Sequence, residues 1–80
     1  MPETQAAPSG VLYRVQVGAF AERSNASELV ARLLVDGFTA YIVRDGQLLK
    51  VRVGAFRERA QADELTARLR TKGYSVAIIH

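Results

Sequence analysis

The chain repeats itself. The stretch VQVGAFAERSNASELVARLLVDGFTAYIV from Val15 aligns without a gap with VRVGAFRERAQADELTARLRTKGYSVAII from Val51. Gly18 recurs as Gly54, Phe20 as Phe56 and Gly37 as Gly73, each thirty-six positions on, and about half of the aligned positions are identical. Self-similarity at a fixed period marks a structural repeat. Duplication and fusion of one unit predicts two superposable halves about a pseudo-twofold axis. Eighty residues allow one domain, and with no cysteine in the chain that domain rests on packing rather than on disulfides.

Each unit reads strand, helix, strand. Tyr13, Val15 and Val17 alternate with Arg14, Gln16 and Gly18, and Leu49, Val51 and Val53 with Lys50, Arg52 and Gly54; a period of two is that of a half-buried strand. Ala26, Leu29, Val30, Leu33 and Leu34 then form one apolar helix face, with Ala62, Leu65 and Leu69 as a leaner and looser counterpart. Asn25 followed by Glu28 has the spacing of a capping box, and Ser24 and Ser27 suit the same helix start. Gly37 and Gly73 fall where helices end. Phe38, Ala40 and Ile42 alternate with Thr39, Tyr41 and Val43, and Tyr74, Val76 and Ile78 with Ser75, Ala77 and Ile79. Asp45-Gly46 supplies a two-residue hairpin turn between the second and third strands.

Two split βαβ units joined by a hairpin give an α+β, ferredoxin-like (RNP-like) βαββαβ fold. The expected sheet is antiparallel, in strand order 4-1-3-2, with both helices on one face. Residues 11–80 make up the domain, with repeat one at about 13–43 and repeat two at about 50–80, after a linker at 1–10 rich in Ala and Pro. Parity sends Val15, Val17, Val51, Val53, Ile42 and Val76 toward the helices. Arg14, Gln16, Lys50, Arg52, Thr39, Tyr41, Ser75 and Ala77 line the open face. Phe20 and Phe56 follow a Gly-Ala kink, where parity fails, and are expected to fold back as edges of the core.

Catalytic chemistry finds no home in this pattern. One His and no Cys leave no metal-ligand set and no nucleophile–base pair, and no cofactor is expected. Gly18 and Gly54 are isolated and lack phosphate-loop spacing; they read as bends at strand ends. No apolar run reaches the roughly 20 residues of a membrane span, so this fragment is not expected to insert into a membrane.

The net charge is +3, and parity gathers Arg14, Lys50 and Arg52 on the open face with no carboxylate among them. Like charges crowded together favour an anionic partner. Two kinds of module have this shape: a polymer binder on the open face, or an RNA-binding or protein-interaction module. RNA recognition motifs place aromatic residues on the two central strands, where this chain has Arg14, Gln16, Lys50 and Arg52, so nucleic acid is not the expected partner.

The runs YRVQVGAF from Tyr13 and KVRVGAF from Lys50, with Asn-Ala and Glu-Leu in the first helix, Gly37-Phe38 and Gly73-Tyr74, resemble a SPOR domain (sporulation-related repeat) over about residues 12–80. The resemblance implies a non-catalytic, bacterial peptidoglycan-binding module that favours glycan strands stripped of stem peptides. Such a module sits in the cell envelope, at division septa or in mother-cell and spore wall, usually as the C-terminal part of a larger envelope protein that can itself be a wall hydrolase. The family's first-strand Gln corresponds to Gln16; the Ser often found three residues later is Ala19 here. Of the aromatic residues that some members carry on the sheet, Tyr41 is the clear counterpart. The expected glycan contacts are Gln16 and Arg52, supported by Arg14, Lys50 and Tyr41, on a domain acting as a monomer.

Overall fold

A computed structural model describes residues 11–80; the expected linker at 1–10 lies outside the described residues. The elements run β1 (Tyr13–Phe20), α1 (Arg23–Val35), β2 (Tyr41–Asp45), β3 (Leu48–Phe56), α2 (Arg59–Thr71) and β4 (Ala77–Ile79). The four strands form one sheet in the order β2-β3-β1-β4, with every neighbouring pair antiparallel. This is the arrangement expected from two split βαβ units. Its centre keeps the duplication: the largest fully buried side chains are Val15 with its repeat-mate Val51, and Leu33 with its repeat-mate Leu69. Ala26 and Ala62, a third such pair, are also fully buried.

The helices start earlier than their spacing suggests. Glu22 and Glu58 are the N-cap residues, both extended and both without a side-chain cap bond. Asn25 therefore lies inside the first turn of α1, and the expected capping box with Glu28 does not form; Ser24 and Ser27 are likewise exposed positions within the helix. The C-termini behave as expected. Gly37 and Gly73 take φ of +95° and +96°, where a side chain is disfavoured. Phe38 N–H donates to the Leu33 carbonyl at 2.8 Å and Gly37 N–H to that of Leu34 at 3.0 Å. Tyr74 and Gly73 repeat both bonds on Leu69 and Arg70 at 3.2 and 2.9 Å. These paired bonds are a Schellman closure.

Two apolar assignments change. Leu34 was expected on the buried face of α1 but is 64% exposed, because Ala26, Leu29, Val30 and Leu33 already fill the stripe over the sheet. On α2 the stripe includes Thr66, buried at the position equivalent to Val30, so that helix is less lean than its apolar residues suggest. A bond from the Tyr74 hydroxyl to the Asp36 carboxylate, 2.6 Å, ties the segment after α2 to the C-terminal end of α1. That bond, followed by burial and the Asp36 charge, raises the tyrosine pKa above its usual value.

The strand parity breaks once in each repeat. Along β1 and β3 the pairs run Tyr13 with Phe56, Arg14 with Ala55 and Val15 with Gly54, then Gln16 with Arg52, then Gly18 with Val51. Val53 and Val17 have no partner in this register, so each central strand carries one extra residue, a β-bulge. The two bulges are repeat-mates. After each one the faces swap. Gly18 and Gly54 point toward the helices and not toward the open face, and they are not bends. A Cβ on Gly18 would stand 2.8 Å from the Phe20 ring and 3.0 Å from Leu29. Glycine is thus required by the close approach of helix and ring. Phe20 and Phe56 pack against the core as expected, brought there by the bulge.

Candidate functional site on the open sheet face

Cross-strand register puts the expected contact residues in rows. The central row crosses all four strands: Tyr41 pairs with Arg52, Arg52 with Gln16, and Gln16 with Ala77. Strand spacing of roughly 4.8 Å makes such a row about 14 Å from end to end. Arg52 Nε donates to Gln16 Oε1 at 3.2 Å between half-buried groups. With Oε1 accepting from Arg52, the Gln16 Nε2 is left as a donor. Gln16 and Arg52 are repeat-mates, so the pseudo-twofold axis passes between them. Tyr41, at one end of the row, is 44% exposed.

Flanking rows hold the other two. Lys50 stands between Val43 and Ala19, and Arg14 between Ala55 and Ile79. All five expected residues therefore share the open face, with Gln16, Arg52 and Tyr41 contiguous. The expectation of a carboxylate-free face is overturned. Asp45 reaches Lys50 Nζ at 2.6 Å, and this bond, with the lysine's charge, lowers the Asp45 pKa below the ordinary carboxylate value. The cause is turn register. Asp45 pairs with Leu48 as the last residue of β2, so the two-residue turn is Gly46-Gln47, with Gly46 at φ +64°, instead of Asp45-Gly46. The aspartate then lies two residues beyond Val43, on the face of Lys50. Thr39 and Ser75 are exposed but lie outside the strands.

Three hollows among the described residues were not legible in the sequence. One, of about 260 Å³, lies between β1 and the segment leading into β4, lined by Gln16, Ala19, Ser75 and Ala77 with Val17, Gly18 and Val76. The other two lie on the helix side at repeat-equivalent places. Phe56, Gln61, Glu64, Leu65 and Arg68 line about 250 Å³, and Phe20, Asn25, Glu28, Leu29 and Arg32 about 150 Å³. A glutamate in each of these disfavours anions, and Arg68 is already engaged 5.5 Å above the Phe38 ring. Among the described residues no group of acidic, His or Cys side chains could hold a metal ion, and no helix is long and apolar enough to cross a membrane.

The sequence pattern of the SPOR domain matches residues 9–80. Among solved structures, the chain is similar to the peptidoglycan-binding domain of the B. subtilis cell wall lytic enzyme CwlC: 34% identity, TM-score 0.80, covering 95% of this chain and 96% of that one. No curated protein matches the chain.

Proposed function

Because the chain belongs to the SPOR domain family, we propose that it is a non-catalytic module that binds peptidoglycan glycan strands on its open sheet face, prefers strands denuded of stem peptides, and so directs its parent protein to septal or remodelling wall in the cell envelope. The observation that carries this reading is the row Tyr41–Arg52–Gln16, an aromatic ring, a guanidinium and an oriented amide in line across the sheet. The similarity to the CwlC peptidoglycan-binding domain supports the same ligand class.

The selectivity follows from the chemistry of the polymer. While a stem peptide is attached, the lactyl group of N-acetylmuramic acid is an amide and uncharged. Removing the peptide frees a carboxylate, so a denuded strand carries a regular row of anions. Arg52 and Arg14 can take carboxylates in bidentate geometry. Lys50 is already paired with Asp45, which makes it the weaker contributor. Tyr41 offers a ring against a sugar face. A stem peptide would remove the charge and collide with a flat sheet, and both effects act against the wrong ligand. The test measures binding to amidase-treated sacculi, intact sacculi and single-stranded RNA in parallel. Preference for the amidase-treated material supports the proposal. Equal binding to both sacculi removes the freed carboxylate from it, and preference for RNA replaces it with a nucleic-acid module.

A further inference from the structure

The pseudo-twofold symmetry also fails at the two ends of the central row. Tyr41 and Ala77 are repeat-mates and form the two ends of the central row. On the β2 side the row ends in a phenol ring. On the β4 side it ends in a methyl group, and beside that methyl lies the hollow of about 260 Å³. The hollow exists because β4 is short. It pairs with β1 only through Arg14, Val15 and Gln16, and beyond Gln16 the two chains part. The β1 backbone at Val17, Gly18 and Ala19 thus has no strand partner on that side, and Gly18, with no side chain, can offer the hollow only backbone.

The lining is chemically specific. Ala19 and Ala77 supply methyl walls, and Ser75 supplies an exposed hydroxyl. Gln16 also lines the hollow, and with its Oε1 accepting from Arg52 at 3.2 Å its NH₂ is the group it has left to donate. Two donors, unpaired strand backbone and two methyl groups match a small acylated amine: a carbonyl to accept, an N–H to donate, and one methyl to bury.

We propose that this hollow is a subsite for the 2-acetamido group of an N-acetylated sugar, with the sugar chain running from it along the central row toward Arg52 and Tyr41. The acetamido carbonyl accepts from Gln16 Nε2 and the Ser75 hydroxyl, its N–H donates to the unpaired edge of β1, and its methyl lies on Ala19 and Ala77. This deepens the glycan-binding reading and rests on it. The hollow adds a requirement that charge alone does not impose, because an unacetylated sugar leaves Gln16 and Ser75 without their partner. Polar groups shaped for one ligand reject the analogue that lacks it.

The test uses two neutral β-1,4-linked hexasaccharides, of N-acetylglucosamine and of glucose, and amidase-treated glycan strands. The protein is the wild-type chain and the variants Ala77→Leu, Ser75→Ala and Arg52→Ala, with melting curves to verify folding. Wild type is expected to favour the acetylated hexamer at least tenfold, with amide chemical-shift changes at Gln16, Ala19, Ser75 and Ala77. Ala77→Leu fills the hollow and is expected to abolish that preference and to weaken binding of the amidase-treated strands about tenfold. Ser75→Ala is expected to narrow the preference a few-fold. If wild type and Ala77→Leu bind the treated strands equally, or both hexamers bind wild type equally, the subsite is overturned while glycan binding stands. If none of the sugars binds wild type, the glycan reading and the subsite fall together.

Discussion

Arg52→Ala is the substitution that weighs most on the open-face site. Arg52 lies next to the pseudo-twofold axis, with Gln16 as its partner at 3.2 Å and Tyr41 on its other side. A ligand crossing the sheet can hardly avoid it. Loss of a hydrogen bond to a charged group costs about 1.5–3 kcal/mol, and about 1.4 kcal/mol is tenfold in affinity. Binding to amidase-treated peptidoglycan should therefore fall about ten- to a hundredfold. Stability should change less than binding, since the partner Gln16 is half-exposed and regains water; a cost of about 0.5–1.5 kcal/mol is expected for a hydrogen bond of this kind. The control needs the same charge removed elsewhere. Arg68 is unsuitable because its guanidinium sits 5.5 Å above the Phe38 ring, and Arg32 lines a helix-side hollow. Arg23, exposed at the start of α1, serves. Isothermal titration of wild type, Arg52→Ala and Arg23→Ala at two salt concentrations separates the terms. If Arg23→Ala loses as much affinity as Arg52→Ala, net charge governs binding and the sheet site is wrong.

Four further outcomes are expected. Asp45→Asn releases Lys50 from its ion pair and should tighten binding of denuded strands at low salt with the melting temperature nearly unchanged; unchanged affinity would take Lys50 out of the site. The lowered pKa of Asp45 means that any stabilisation from this pair is present above the unfolded-state pKa and fades as pH falls through the folded one, so the wild-type melting temperature should lose its small excess over Asp45→Asn in acid. Thr66→Val removes a buried hydroxyl that finds no hydrogen-bond partner among the described residues and should stabilise by about 1 kcal/mol, read as a rise of about 4–8 °C in melting temperature; a fall would mean that the hydroxyl is satisfied in solution. Gly18→Ala should destabilise by about 1–3 kcal/mol through overpacking, and Gly54→Ala by less, because the added Cβ meets its nearest atom at 2.8 Å in the first case and 3.1 Å in the second; the reverse order in denaturant melts would refute the helix-facing placement of Gly18.

Much of the fold was legible because periodicity and duplication agree. A period of two, a period near 3.6, and the same order twice leave few topologies, and the observed strand order is the one they allow. What escaped were local shifts that the pattern hides. Val15 and Val17 are both apolar, so continued alternation looks natural, yet Val17 is the bulged residue; the clue is that Phe20 resumes the apolar phase out of step with Tyr13 and Val15. Asp45 was misplaced by one residue because Asp-Gly is a common turn pair, whereas here Gly46 opens the turn and Asp45 closes a strand. Thr66 escaped because it is polar, although its repeat-mate Val30 marks the position as inward. The open-face placement of the five candidate residues was legible by parity, since Arg14, Gln16, Lys50 and Arg52 all precede the bulged residue of their own strand and Tyr41 lies on a strand without a bulge. The hollow beside Ala77 was not, because it depends on where β4 stops pairing, and no residue type announces that.

The duplication also bears on how a site of this kind can work. A sugar polymer has direction, and a face with true twofold symmetry would bind it in either sense with equal energy. In this chain three fully buried pairs of repeat-mates at the centre of the core stay identical: Val15 with Val51, Leu33 with Leu69, Ala26 with Ala62. Along the central row none does. Gln16 faces Arg52 across the axis, and Tyr41 at one end answers Ala77 at the other. The change from Gln to Arg puts the charge on one side of the axis, and the change from Tyr to Ala puts the ring on that same side and the hollow on the opposite one. The two asymmetries therefore add. A strand laid with its acidic group over Arg52 and a sugar ring against Tyr41 meets the hollow next to Gln16, while the reversed strand sets its acidic group beside an uncharged amide and puts Arg52 opposite nothing. Each misplaced partner is a hydrogen-bonding group left unsatisfied, and that mismatch, rather than any added contact, is what gives a duplicated fold a preferred ligand direction.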